Sequence, residues 1–293
     1  MDVKKIMVVG SGTMGAGIVQ VAAQAGYDVV MKLHRNMERG MKIINGSLDS
    51  QVKKERITAD DKSKILSRIK LTTAWEDAAG VDFVIESIAE NFDAKKEAFE
   101  KLDTICRPEV VFATNTSSIP ITRLATAVKR PQNFIGTHFF NPVPAMRLVE
   151  IVRGLKTSME TVLLAEKVIH SMKKETVRVK DVPGFLVNRI NQALRNEAYN
   201  CLMEGVASVE DIDKAARLAL GHPMGPFEVA DLVGLDIGLE VLRGLFNSYK
   251  DIKWRPSMLL EQLVESGDLG KKTGKGWYDY ASGEKKPRGD VKF

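Results

Sequence analysis

Cysteine is nearly absent from this chain: Cys106 and Cys201 are the only two in 293 residues. Two isolated thiols cannot form a disulfide framework, and neither sits at a metal-ligand spacing, so no structural metal is expected. Long apolar runs are missing as well. None approaches the roughly 18 residues needed to cross a bilayer, and the mean hydropathy is −0.13. The N-terminal stretch Met1-Asp2-Val3-Lys4-Lys5-Ile6 enters an apolar segment almost at once, so neither a cleaved signal nor an amphipathic transit peptide is expected. These absences point to a cytoplasmic protein. A strong charge of one sign is also lacking. The 43 Lys and Arg against 38 Asp and Glu leave +5, spread along the chain, a surplus that suits a phosphate-bearing small ligand as well as nucleic acid. Internal repeats and low-complexity tracts are absent, and the lysine-rich tail Glu284–Phe293 is expected to fray.

The remainder has an ordinary globular composition, 44% hydrophobic and 28% charged, and its length suggests two domains. Ile6-Met7-Val8-Val9 is a short apolar run ended by Gly10, as a buried parallel strand requires. Thr13 to Ala25 carries apolar residues at helical spacing, Gly26 stops it, and Tyr27 to Met31 reads as a second strand. Met37, Met41, Ile44, Leu48 and Val52 form a helical stripe within 36–54. Further strands are expected at Val81–Glu86, Val110–Thr114, Phe134–Phe140 and Arg147–Val152, with a helix at about Lys95–Ile105. Strands alternating with helices imply an α/β fold, a Rossmann-like, doubly wound and mostly parallel sheet. After Val182-Pro183-Gly184 only helical spacing remains, in Leu186, Ile190, Leu194 and Leu202, and Ser208 looks like a helix cap. The expected division is a Rossmann-like α/β domain over 1–184 and an all-helical domain over 185–293.

Gly10-Ser11-Gly12-Thr13-Met14-Gly15 is a G-x-G-x-x-G loop between a strand and a helix. Gly10 permits the turn, Gly12 lets a pyrophosphate approach the backbone, and Gly15 lets the helix pack on the sheet. The acid that ordinarily binds the adenosine ribose about 20 residues later is missing. Met31-Lys32-Leu33-His34-Arg35 occupies that strand end. Leu33 cannot accept a bond from a ribose hydroxyl, whereas Lys32, His34 or Arg35 can meet a 2′-phosphate. The cofactor is therefore NAD or NADP, with NADP tolerated or preferred on one reading and NAD held by its phosphates alone on the other.

Asn115-Thr116-Ser117-Ser118 follows a strand end, where ligands meet an open parallel sheet, although such a run also caps helices. His138 lies in an aromatic strand. Glu150, in Leu148-Val149-Glu150-Ile151-Val152, shares a strand face with Leu148 and Val152, and a carboxylate there needs a partner. The turn Asn141-Pro142-Val143-Pro144 can bring His138 to it. A carboxylate that fixes the tautomer suits an imidazole acting as general acid and base; a structural ion pair is the plainer reading. By periodicity Asn188, with Asn191, Gln192 and Arg195, lies on a solvated helix face. Tyr249 and Lys253 fit the Tyr-x-x-x-Lys spacing of short-chain reductases, but late in the helical region, far from any strand end.

Taken in order and spacing, Gly10–Gly15, Asn115–Ser118, His138-Phe139-Phe140-Asn141-Pro142, Pro183–Arg189, His222-Pro223-Met224-Gly225-Pro226 and Gly270–Gly276 resemble the short-chain L-3-hydroxyacyl-CoA dehydrogenases, from about residue 4 to residue 280. The resemblance implies catalytic roles for Ser117, His138, Glu150 and Asn188, with His138 the acid/base oriented by Glu150, and Ser117 and Asn188 bonding the substrate oxygen. It implies cofactor contacts at Glu90, Lys95, Asn115, Ser117, Asn141 and Lys272, besides the glycine loop and the 33–35 strand end. Ser47 and Lys54 match positions that touch coenzyme A, and seven residues apart they share a helix face. An acyl-CoA substrate and a homodimer are implied; nucleic acid and membrane partners are not. Leu33 departs from the family, which keeps an acid there, and the chain is about two residues shorter around Asn36. A nucleotide-binding structural protein derived from the same fold is the rival reading.

Overall fold

A computed structural model describes residues 2–33 and 37–291. The chain divides into two compact units, one ending at Val182 and one beginning at Pro183.

In the first unit, eight strands form one sheet among the described residues: β1 (Lys5–Val9), β2 (Asp28–Lys32), β3 (Ile69–Thr72), β4 (Phe83–Glu86), β5 (Val111–Thr114), β6 (Phe134–Phe139), β7 (Leu148–Arg153) and β8 (Glu175–Lys180). Their spatial order is β3-β2-β1-β4-β5-β6-β7-β8. Pairing is parallel from β3 through β6, antiparallel between β6 and β7, and parallel again between β7 and β8. The helices are α1 (Thr13–Gln24), α2 (Met37–Lys53), α3 (Ala59–Ser67), α4 (Phe92–Ile105), α5 (Ile121–Leu124) and α6 (Met159–Ser171). The doubly wound, mostly parallel sheet expected from the sequence is present. Ile6, Val8, Val29, Met31, Ile85 and Ala113 pack with Ile18, Val21, Ile44 and Val168 of α1, α2 and α6 in one apolar layer. On the opposite face Phe99 of α4 meets Phe112 and Phe134 edge-on, at centroid distances of 6.1 and 4.6 Å. Burial of this kind stabilises by roughly 25 cal/mol per Å² of apolar surface.

β3, β8, α3 and α6 were not foreseen. Both strands lie at the ends of the sheet order, where polar residues such as Lys70, Arg178 and Lys180 replace the apolar run that marks a central strand.

The second unit is helical: α7 (Val187–Met203), α8 (Val209–Leu218), α9 (Pro226–Val233), α10 (Leu235–Tyr249) and α11 (Met258–Glu265). Pro183 and Gly184 belong to it, because the Tyr249 hydroxyl donates to the Pro183 carbonyl and Gly184 lies against Leu245. Ser208 caps α8 by accepting from Asp211 N. Two expectations are corrected. Gln192 and Arg195 of α7 are buried rather than solvated, while Leu186 and Ile190 are 40% and 63% exposed. Backbone carbonyls explain part of this inversion: Gln192 Nε2 donates to Gly238, and Asn196 Nδ2 to Lys253 and Arg255. Polar residues on that face supply donors that leucines would not. Nor does the tail fray as far as it is described. Val291 is buried in the helical core, and Arg288 pairs with Asp268 and Asp290.

Candidate active site

The glycine loop follows β1 as the fingerprint requires. Gly10 has a φ of +122°, and a Cβ there would lie 2.3 Å from the Ser87 carbonyl oxygen; at Gly15 it would lie 2.2 Å from the Gly10 carbonyl. Both positions therefore demand glycine. Gly12 differs, because a Cβ there would enter open space. It caps α1 with no side-chain hydrogen bond, so the first-turn N–H groups of Thr13, Met14 and Gly15 point toward a surface open to an anion. These residues fit a dinucleotide pyrophosphate.

At the end of β2, Leu33 is buried at 1% exposure. Lys32 has turned inward: its ammonium donates to the Leu33 carbonyl and sits 4.5 Å from the Trp75 ring centroid. Burial, followed by repulsion from Lys101, lowers its pKa despite Glu76. His34 and Arg35 lie outside the described residues.

β6 and β7 run antiparallel, and their register sets His138 directly opposite Glu150. His138 Nδ1 lies 2.6 Å from Glu150 Oε2, with the carboxylate side chain fully buried. The ring also packs against Phe140 at 4.6 Å. A carboxylate in this position fixes the ring orientation and the tautomer in one contact. Neighbouring Asn115 ties β5 to this edge, since its Oδ1 accepts from Phe139 N at 2.8 Å.

Ser117 follows β5 in a turn organised by Glu90. Oε1 of Glu90 accepts from Thr116 Oγ1 at 2.6 Å, Ser117 N at 2.9 Å, Ser118 N at 3.0 Å and Ser118 Oγ at 2.9 Å. Burial raises the pKa of Glu90, but the charge of Lys95 and these donors outweigh it and hold the carboxyl below its ordinary range. Lys95 is 1% exposed, and its ammonium contacts Glu86 at 2.6 Å and Glu90 at 3.3 Å. Glu86, fully buried at the end of β4, also accepts from Thr114 Oγ1 and Ile88 N. The sequence reading missed Glu86. The signal that exposed Glu150, an acid within an apolar strand, is present in Phe83-Val84-Ile85-Glu86.

A cleft of about 810 Å³ in the same unit brings together Thr13, Ser47, Lys54 and Asn141, with Arg56 and Lys64 among its other cations. His138, Glu150 and Ser117 are not among its lining residues. In the helical unit, Asn188 is half-buried in the first turn of α7, and Lys272 pairs with Asp236 at 2.6 Å. The Tyr249 hydroxyl is engaged by Pro183, and Lys253 pairs with Asp251, so these two side chains form no catalytic pair. Among the described residues no group of His, Cys, Asp and Glu can hold a metal ion, and no helix is long and apolar enough to cross a membrane.

Comparison with known proteins gives the family of the chain. Residues 5–182 match the family described as 3-hydroxyacyl-CoA dehydrogenase, NAD binding domain, and residues 184–280 match its C-terminal domain. A probable 3-hydroxybutyryl-CoA dehydrogenase of Bacillus subtilis is 45% identical over 282 residues, 96% of this chain and 98% of that protein. A 3-hydroxybutyryl-CoA dehydrogenase of Bradyrhizobium diazoefficiens is 44% identical over 287 residues, covering 97% and 98%. The crystal structure of (S)-3-hydroxybutyryl-CoA dehydrogenase from Ralstonia eutropha superposes with a TM-score of 0.92 at 44% identity, covering 95% of this chain and 99% of that one. An N-terminal unit built to hold a nicotinamide dinucleotide, followed by a helical unit of matching sequence, places this chain in the 3-hydroxyacyl-CoA dehydrogenase family.

Proposed function

We propose that this protein is a 3-hydroxybutyryl-CoA dehydrogenase that interconverts (S)-3-hydroxybutyryl-CoA and acetoacetyl-CoA. The observation that carries the reading is the His138–Glu150 pair at 2.6 Å on an inner strand pair of a dinucleotide-binding sheet. In the oxidative direction the imidazole takes the proton of the substrate hydroxyl; in the reductive direction the imidazolium returns it. Glu150 holds Nδ1, so Nε2 is the nitrogen that exchanges the proton, and the buried carboxylate stabilises the cation formed on the ring. Ser117 and Asn188 donate to the substrate oxygen. A bound nicotinamide supplies or accepts the hydride. Gly10, Ser11, Gly12, Thr13, Met14 and Gly15 hold its pyrophosphate, with Glu90, Asn115, Asn141 and Lys272 as further contacts. The tie of Lys95 to the cofactor runs through Glu90, because its ammonium is enclosed. Ser47 and Lys54, brought to one basic cleft, bind coenzyme A.

The cofactor reading is NADP tolerance. A buried leucine stands where an acid would select the ribose hydroxyl and repel a 2′-phosphate. Lys32 is committed elsewhere, which leaves His34 and Arg35 to meet that phosphate. A homodimer and a cytoplasmic location belong to the same proposal. The exposed Leu186, Ile190 and Ile237 of the helical unit are apolar surface for a second copy to cover, and the two cysteines are unpaired.

One assay tests the reading. Oxidation of reduced nicotinamide is followed with acetoacetyl-CoA, using NADH and NADPH in parallel. Turnover with both is expected; no turnover with either refutes the enzyme, and at least tenfold tighter binding of NAD than NADP refutes the cofactor reading.

A further inference from the structure

We infer that Glu86 is a positioning residue for the reaction, acting through Lys95 and Glu90 on the turn that carries Ser117. The inference rests on the reading of Ser117 as a donor to the substrate oxygen.

The connection is continuous. Glu86 ends β4 directly beside Thr114, the last residue of β5. Its Oε1 accepts from Ile88 N at 2.7 Å and Lys95 Nζ at 2.6 Å, and its Oε2 from Thr114 Oγ1 at 2.6 Å. Thr114 Oγ1 accepts in turn from Thr116 N at 3.3 Å. Lys95 passes the contact on to Glu90 Oε2 at 3.3 Å, and Glu90 Oε1 gathers the donors of residues 116–118, the Ser117 hydroxyl itself at 3.4 Å. Two routes, one through Thr114 and one through the Lys95–Glu90 ion pair, thus run from one buried carboxylate to the same turn.

The burial argues for positioning rather than stability. Glu86 and Lys95 are 0% and 1% exposed, and a buried ion pair commonly contributes no more than well-packed apolar residues of similar volume. What it fixes is direction. A charge-assisted bond at 2.6 Å permits Lys95 one position, and that position fixes Glu90. Without the Glu86 charge, Lys95 keeps only Glu90 at 3.3 Å and the Ile88 carbonyl at 3.4 Å and relaxes toward the charged partner, Glu90 shifts with it, and the amides of Ser117 and Ser118 follow. A displacement of about 1 Å at a reacting centre can cost on the order of 100-fold in rate.

The test is a double-mutant cycle. Glu86→Gln is made in the native chain and in Ser117→Ala, and kcat and KM for acetoacetyl-CoA are measured together with the dissociation constant of the reduced nicotinamide. Glu86→Gln is expected to lower kcat by about 10- to 100-fold in the native chain and by less than about threefold when Ser117 is already gone. Thr114→Val should reproduce the same coupling more weakly, with Thr114→Ser restoring activity, and this pair carries the test if Glu86→Gln does not fold. Equal losses in both backgrounds would make Glu86 a structural residue and overturn the inference. A Ser117→Ala variant with native kcat would instead overturn the reading of Ser117 on which the inference stands.

Discussion

Buried carboxylates serve opposite ends in the two units. In the sheet unit Glu150 faces His138 and Glu86 faces Lys95, each at 2.6 Å. In the helical unit, among the described residues, Asp213 and Asp231 have no cationic side chain as a hydrogen-bond partner. Asp213 accepts from Phe227 N, Glu228 N and the Tyr278 hydroxyl; Asp231 accepts from Trp277 N, Tyr278 N and the Tyr280 hydroxyl. Burial raises the pKa of both, and at Asp231 the donors offset it only in part, leaving the carboxyl pushed up to about 6. A carboxylate beside a base can steady a proton on that base while it moves to a third molecule. One beside amides and phenols can only accept, so it pins chain segments together. Glycines record the pinning: a Cβ on Gly276 would lie 2.1 Å from Asp231 Oδ1, and one on Gly225 would lie 2.2 Å from Asp213 Cγ. Much of the glycine-rich 270–276 signature is thus explained by contact with an acid on α9.

Substitutions can break this comparison. The largest effect is expected at Glu150→Gln, which keeps the shape of the side chain but leaves the imidazole without a negative partner. Its kcat should fall at least about 100-fold, read from steady-state turnover of acetoacetyl-CoA; a loss under threefold would mean that the acid serves packing alone.

Asp231→Asn should move stability and not chemistry. The amide replaces an acceptor with a donor facing backbone N–H groups, at a cost of about 1–3 kcal/mol in chemical denaturation, with kcat unchanged. The pH dependence has a definite sign. Because the folded-state pKa is raised from 3.8 to about 6, the native state binds the proton more tightly than the unfolded chain. The contribution of Asp231 to stability is therefore greatest below the ordinary carboxylate range and is lost as pH rises through about 6. Melting temperatures of the native chain relative to Asp231→Asn should fall across that window. A flat difference would place the ionisation elsewhere.

The sequence made one kind of carboxylate legible. Glu150 could be found because an acid on the apolar face of a period-2 strand demands a partner, and a turn supplied His138 from the adjacent strand. Glu86 carried the same signal but stood last in its strand, where an acid also reads as the start of a loop. Asp213 and Asp231 lie on helices among other polar residues, and only the packing of a segment some 46 residues further on shows what Asp231 holds. The central strands and the glycine loop were likewise readable from short apolar runs, whereas the edge strands β3 and β8 were not, because exposure allows them polar residues. On α7 periodicity located the helix and the buried Leu202 but misplaced the residues near its start, where Leu186 and Ile190 are exposed and Gln192 and Asn196 are buried, since the carbonyls that engage Gln192 and Asn196 come from distant segments.

His138→Gln tests the central claim most directly. Turnover of acetoacetyl-CoA by this variant should fall at least about 100-fold, while the dissociation constant of the reduced nicotinamide, measured by fluorescence, stays within about twofold. Near-native turnover would contradict the assignment of His138 as the group that moves the proton.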